Sequence, residues 1–274
     1  MATIIDYVVA YFLYFLYNGS LIFAVLVVVI GMMTYFVGKR RNLQLMDFTY
    51  NQIDKGSRQK ITKYQLVEKS TMGRTYLAEV EPNLPLTNIR IHFALVHRHL
   101  ILSKIASLIR KRRDYLLFEA DPTDKIVHRY QFEILPNYER KSIKALYEML
   151  KHLDTLETQS SKFNEIFVIK VNDLEFFSKI LQENSQIIKK IYNQKDHITR
   201  ISLYPLESPS IRLVAEINED LKPKFLLDIL FDLTNGITSL AKKGYFAKRK
   251  SVPRIYRDKT LDKEKKRFDD RYKI

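Results

Sequence analysis

The sequence predicts a single N-terminal transmembrane helix followed by a cytosolic α+β domain. Three observations predict it. Residues 7–38 form a run without a charged side chain, closed at once by Lys39-Arg40-Arg41. Beyond that run, stretches with apolar residues at every second position alternate with stretches spaced at three and four, the periods of strand and helix. The 274 residues are 46% hydrophobic and 28% charged, which suits a chain that buries a core and excludes a disordered polymer.

The elements follow in order. A bilayer core takes about 20 apolar residues as helix, and LIFAVLVVVIGMMTYFVG after Asn18-Gly19-Ser20 is long enough. The spanning helix is placed from Leu21 to Val37. Before the Asn-Gly-Ser break lies YVVAYFLYFLY. It reads either as a short aromatic helix in the interface, or packed on another membrane protein, or as the first part of one long tilted helix. Only Asp6 and the terminal amine precede Lys39, so the positive-inside rule puts the N-terminus outside and the rest in the cytosol. Residues 42–55 read as a helix leaving the membrane, stopped at Gly56. Tyr64–Glu68 and Arg74–Val80 read as two strands joined through Met72-Gly73.

Two units of order βαββα are then expected, at 88–153 and 165–243. In the first, residues 88–96 alternate Ile89, Ile91 and Phe93 as a strand does, and 99–113 set Leu102, Ile105, Leu108 and Ile109 on one helical face. Strands at 115–119 and 126–135 and a helix at 138–153 complete it. In the second, residues 165–171 read as a strand. Asn172 or Asp173 caps a helix over 173–192, with Asn184-Ser185 as the place for a break. Strands at 198–204 and 210–217 precede a helix from Pro223 to Lys243, stopped by Gly244. DTLETQSSK (154–162) is the expected seam. The expected result is two layers, each a small, mostly antiparallel sheet with helices on one face. The domains are then 1–38, 39–87, 88–153, 165–243 and a basic tail, 244–274.

Several chemistries are excluded. The chain has no cysteine, so a disulfide framework, a thiol catalyst and Cys-ligated zinc or iron–sulfur sites are ruled out. Its seven glycines are too scattered for a GxGxxG or Walker A loop. No HExxH, GxSxG or kinase signature occurs. His97 and His99 face one side if their stretch is extended, but no neighbouring carboxylate completes a ligand set. No catalytic residue, metal or cofactor is therefore expected.

The charge is informative. Lys and Arg outnumber Asp and Glu by 46 to 31, a net +15, which calls for an anionic partner. Residues 242–274 hold 14 Lys or Arg against five Asp or Glu and are expected to be extended or weakly helical when unbound. Two clusters stand out. Arg110, Lys111, Arg112 and Arg113 end a predicted helix, where the dipole favours cations, though four exceed that need. Lys242, Lys243, Lys248, Arg249, Lys250, Arg254 and Arg257 are interleaved with Tyr245, Phe246 and Tyr256. Cations among aromatics suit unpaired bases and phosphates. They equally suit an anionic lipid surface, and the plain alternative is a solvated tail.

IDYVVAYFLYFLY, TYFVGKRRN (34–42), RIHFALVHRHLILSKIASLIRKRRD (90–114), LYEMLKHLD (146–154) and LLDILFDLTNGITSLAKKGYFAKRK (226–250) occur in an order and spacing that resembles the calumin family. That family is the coiled-coil-containing scaffold subunit of the PAT complex at the Sec translocon, and this chain looks like a short form of it. The resemblance implies a non-enzymatic, single-span scaffold that assists insertion and folding of multipass membrane proteins. The implied partners are the ribosome, the Sec translocon, a small Asterix-like membrane subunit and nascent multipass proteins. Residues 110–113 and 242–257 would face ribosomal RNA, and 7–17 with 21–37 would pack on the membrane partners. The membrane would be the endoplasmic reticulum if the source is eukaryotic, the cell membrane if archaeal. Here only about six residues precede the aromatic run, so the family's acidic lumenal segment and its calcium binding do not carry over. The tail is also shorter than the family's coiled coil. The rival expectation is a membrane-anchored tether whose polybasic tail lies on anionic lipid.

Overall fold

The computed structural model describes residues 4–96, 98, 113–123, 130–137, 150–204, 210–218 and 220–245. The chain divides into two compact units. The first is Met1–Leu45 with Val96–Arg112, and the second is Met46–Leu95 with Arg113–Ile274.

The first unit is dominated by helix α1, which runs unbroken from Ile4 to Ser57 and continues into the second unit. Among the described residues it is the one helix long and apolar enough to cross a membrane. Its apolar side chains face outward, with Phe23 at 68% and Val37 at 67% exposure. Moving each such side chain from water into lipid gains about 1.5–3 kcal/mol. The expected break at Asn18-Gly19-Ser20 does not occur, and the aromatic stretch 7–17 belongs to the same helix as the span. Ser20 Oγ donates to the Tyr17 carbonyl at 2.7 Å, so its hydroxyl is satisfied along the helix. A mid-helix glycine costs only about 1 kcal/mol, less than leaving backbone groups unpaired in hydrocarbon.

The second unit is built on one sheet. Its described strands are β1 (Ile61–Lys69), β2 (Gly73–Val80), β3 (Leu86–Ala94), β4 (Tyr115–Pro122), β5 (Phe132–Pro136), β6 (Asp154–Leu156), β7 (Phe167–Val171), β8 (Ile198–Leu203) and β9 (Ile211–Glu216). They lie in the order β1-β2-β3-β4-β9-β8-β5-β7-β6. Every neighbouring pair is antiparallel. The described helices beyond α1 are α2 (Ser161–Ile166), α3 (Leu174–Glu183), α4 (Gln186–Asn193) and α5 (Pro223–Lys242).

Alternation divides the sheet into two faces. Ile89 and Ile91 of β3 stand in register with Ala78 and Tyr76 of β2, and Ile89, Ile91 and Phe93 with Ala120, Phe118 and Leu116 of β4. All of these are buried. The apolar layer continues through Leu213, Ile201, Ile134 and Ile169 on β9, β8, β5 and β7. Helices cover it: Phe177 of α3 lies 4.7 Å from Phe132, and Tyr50 of α1 stacks on Tyr76 at 4.4 Å. Helix α5 turns Leu226, Ile229, Leu230, Leu233 and Ile237 inward, all at 0% exposure, while Phe225 in its first turn stays 43% exposed.

Two expectations are corrected. The strands form one sheet rather than two small ones, because the halves of the chain interleave. Strand β4 pairs with β9 across Tyr115↔Glu216, and β5 lies between β7 and β8. Residues 154–162 are not a seam. Asp154–Leu156 pairs with β7, and Ser160 caps α2 by accepting from the Phe163 amide at 3.3 Å. Glu165 and Ile166 belong to α2, so β7 starts at Phe167. Asp173 caps α3, and α3 and α4 are separate helices on either side of Asn184-Ser185. Gly244 follows α5 with φ 68°, a conformation glycine adopts without strain. The helices expected at 99–113 and 138–153, and the start of the strand at 126–135, lie mostly outside the described residues.

Candidate functional site

The first candidate lies in the first unit, where the apolar run of α1 ends. A helix leaving hydrocarbon meets phosphate and water, and cations there hold its depth. Lys39 Nζ lies 5.9 Å from the centre of the Tyr35 ring, one turn back along the helix. Arg40 and Arg41 are exposed. Asn42, next along the helix, is fully buried. Its Nδ2 donates to the Val96 carbonyl at 3.1 Å, and its Oδ1 accepts from Arg98 Nη1 at 2.8 Å. A buried amide is stable only when its polar atoms are paired. Asn42 therefore ties Arg98 to the turn that carries Lys39, Arg40 and Arg41. Nothing in the sequence pattern pointed to Arg98, which lies 56 positions from Asn42.

The second candidate is the polar face of the sheet in the second unit. Residues that alternate with the core on β2, β3, β4 and β9 meet there. Thr75 Oγ1 lies 3.0 Å from His92 Nδ1, and His92 Nε2 lies 3.0 Å from Glu119 Oε2. Arg212 Nε is 3.1 Å from Glu119 Oε1. With Nε2 donating to the Glu119 carboxylate, the other ring nitrogen faces the Thr75 hydroxyl. Burial pushes the Glu119 carboxyl up, but the His92 hydrogen bond and the charges of His92, Arg212 and Arg90 outweigh it and hold it below the ordinary range. The order of groups is that of a nucleophile, a base and an orienting carboxylate. Thr75, however, is only 7% exposed and sits mid-strand between β1 and β3, where backbone amides are spent on the ladders. The network acts as a tie across four strands.

A third polar group lies further along the same face. Arg200 Nε and Nη2 donate to Glu133 Oε2 and Oε1, each at 3.0 Å, and Arg200 also bonds the Tyr204 hydroxyl. Glu133 and Arg200 are buried. A paired, hydrogen-bonded charge couple is what such burial requires.

The predicted basic clusters are only partly described. Arg110, Lys111 and Arg112 lie outside the described residues, as do Lys248, Arg249, Lys250, Arg254, Arg257, His97 and His99. Arg113 bonds Glu216 at the ends of β4 and β9. Lys242 is exposed in the last turn of α5, and Lys243 reaches Glu183 at 2.5 Å. The root of the tail is held beside α3, where Lys179 Nζ sits 4.7 Å from the Tyr245 ring centre. Among the described residues, no three His, Asp or Glu side chains converge as metal ligands do.

No family model matches the chain, and no curated protein matches it.

Proposed function

We propose that this chain is a membrane-anchored, non-enzymatic scaffold that assists insertion and folding of multipass membrane proteins at the ribosome–Sec translocon. One observation carries the reading: the outward-facing apolar run of α1 is closed by Lys39-Arg40-Arg41, and the helix continues into a folded α+β unit. An anchor of that kind serves by proximity, holding a folded unit where a nascent chain meets the bilayer.

In this reading the N-terminus lies outside and the α+β unit in the cytosol, following the charge asymmetry. The membrane is that of the endoplasmic reticulum in a eukaryote, or the cell membrane in an archaeon. The reading keeps two βαββα-like units, 88–153 and 165–243, as counterparts within the single sheet. Ribosomal RNA is contacted by the basic positions of 110–113 and 242–257. Arg113 and Lys243 already face Glu216 and Glu183, so an incoming phosphate competes with those carboxylates. Lys242 and the run from Lys248 carry more of the contact. The Sec translocon, an Asterix-like subunit and the nascent protein pack on the apolar helix.

The test is sedimentation of ribosomes from mildly solubilised native membranes at stepped salt. About six neutralised phosphates predict a loss of roughly a thousandfold in affinity between 50 and 200 mM salt. Lys248, Arg249 and Lys250 replaced together by Glu should weaken cosedimentation and leave the fold intact. Absence from the ribosome fraction at low salt overturns the reading in favour of a lipid tether.

A further inference from the structure

We propose that strand β1 is the interface through which two copies of this chain pair, edge to edge and antiparallel, about a two-fold axis at Gln65. The proposal rests neither on a membrane span nor on any ribosome contact.

The sheet ends differently at its two sides. At one side stands β6, three residues long, and so short an edge offers little to a partner. At the other stands β1, nine residues long, with Leu66 46% and Val67 62% exposed. Alternate residues of an edge strand turn their amide and carbonyl groups away from the sheet, so β1 presents a row of main-chain donors and acceptors. Lys63, Gln65, Glu68 and Lys69 are exposed along it.

The register selects a second copy as the partner. Lys63, Gln65 and Glu68 pair with Glu79, Leu77 and Thr75 of β2, alternate positions on the polar face that carries His92. Tyr64 and Leu66 pair with Ala78 and Tyr76 on the core side. In a regular strand, residues 63 and 68 would stand on opposite faces. The register shift between Leu66 and Glu68 takes Val67 out of the count and brings Glu68 round to the face of Lys63. Along the ladder, Lys63 then lies two positions before Gln65 and Glu68 two positions after it. A two-fold axis through Gln65 and normal to the sheet keeps each face on its own side. It sets Lys63 of each copy opposite Glu68 of the other, and Tyr64 opposite Leu66. Both are favourable cross-strand pairs. An axis through Tyr64 would set Lys63 opposite Gln65, and one through Leu66 would set Gln65 opposite Glu68, so either loses the ion pairs. Lysines on an edge strand ordinarily hold other strands off. Here the edge accepts the strand whose charges answer its own, which is β1 itself.

The experiment uses the full chain in neutral detergent, with light scattering on a size-exclusion column giving the protein mass across a dilution series. The wild type should be a dimer that dissociates on dilution. Lys63→Glu sets like charges opposite one another at both ends of the interface. It should weaken dimerisation about tenfold, the worth of two cross-strand ion pairs. Lys63→Glu combined with Glu68→Lys should restore the dimer, which a variant that merely misfolded could not do. The chain has no cysteine, so single introduced thiols report the register. Gln65→Cys should form a disulfide-linked dimer under mild oxidation. Thr62→Cys, exposed on the same strand, would lie about 20 Å from its copy in this pairing and should stay unlinked. A wild type that is monomeric at every concentration overturns the proposal. So does a dimer indifferent to Lys63→Glu, which places the contact elsewhere. A double variant that does not recover, or a Thr62→Cys that links as readily as Gln65→Cys, overturns the register and with it the proposal.

Discussion

At the scale of single residues, the polar face of the sheet shows how few side chains govern the second unit. Arg200 and Glu133 satisfy one another in a site that excludes water. Arg200→Ala would strand the Glu133 carboxylate, and the expected loss is about 3–5 kcal/mol in denaturant unfolding of the detergent-solubilised chain. Replacing both residues by Leu should restore most of that loss, because two apolar groups leave no charge unpaired. Glu119 makes a prediction in pH. Its folded carboxyl titrates below the ordinary range, so it contributes stability that is whole above about pH 4.3, the unfolded value. That contribution disappears as pH falls through the lower folded value. The stability gap between wild type and Glu119→Gln should therefore close as pH falls from about 4.3 through the lower folded value. A gap already closed above about pH 4.3 would mean that the folded carboxyl is not held below the ordinary range.

At the scale of elements, caps and close approaches decide what each helix can bear. Asp173 Oδ1 accepts from the Phe176 amide at 2.9 Å and starts α3. Asp173→Ala should cost about 1 kcal/mol, read as a lower midpoint in chemical denaturation. Glycines divide by surroundings. A Cβ on Gly31 would meet nothing within 4 Å, whereas one on Gly56 would lie 2.8 Å from Lys224 Cβ at the start of α5. Alanine favours helix by about 1 kcal/mol at either position. At Gly56 overpacking of about 1–3 kcal/mol opposes that gain. Gly31→Ala should therefore be neutral or stabilising, and Gly56→Ala destabilising, in the same thermal-unfolding assay.

At the scale of the whole molecule, an apolar helix with charge on one side is a directional device. The chain contains no cysteine, so a single introduced thiol reports sidedness cleanly. Lys55→Cys should react with an impermeant maleimide from the cytosolic side only. Neutralising Lys39, Arg40 and Arg41 together to Gln should give a mixed population labelled from both sides, because the asymmetry that sets orientation is gone. Unchanged one-sided labelling would assign orientation to other parts of the chain.

Much of this protein is local and was therefore open to reading from the sequence. Hydrophobic length marks the helix that is long and apolar enough to span, and Lys39-Arg40-Arg41 marks the end of its apolar run. Period alone finds β2, β3 and α5, and the Asp173 cap lies where an acidic residue precedes an amphipathic run. The sequence left the continuity of α1 through Asn18-Gly19-Ser20 open between a break and one long helix, because turn preference is measured against water, and an apolar surrounding reverses the balance. What only the tertiary structure decided is partnership. Strands of similar alternation do not announce their neighbours, so the pairing of β4 with β9 and of β5 with β8 had no local signal. The same holds for Arg98 at Asn42, His92 at Glu119 and Arg200 at Glu133. Periodicity records which face of an element is apolar. Which distant polar group completes the other face depends on burial and packing of the folded chain.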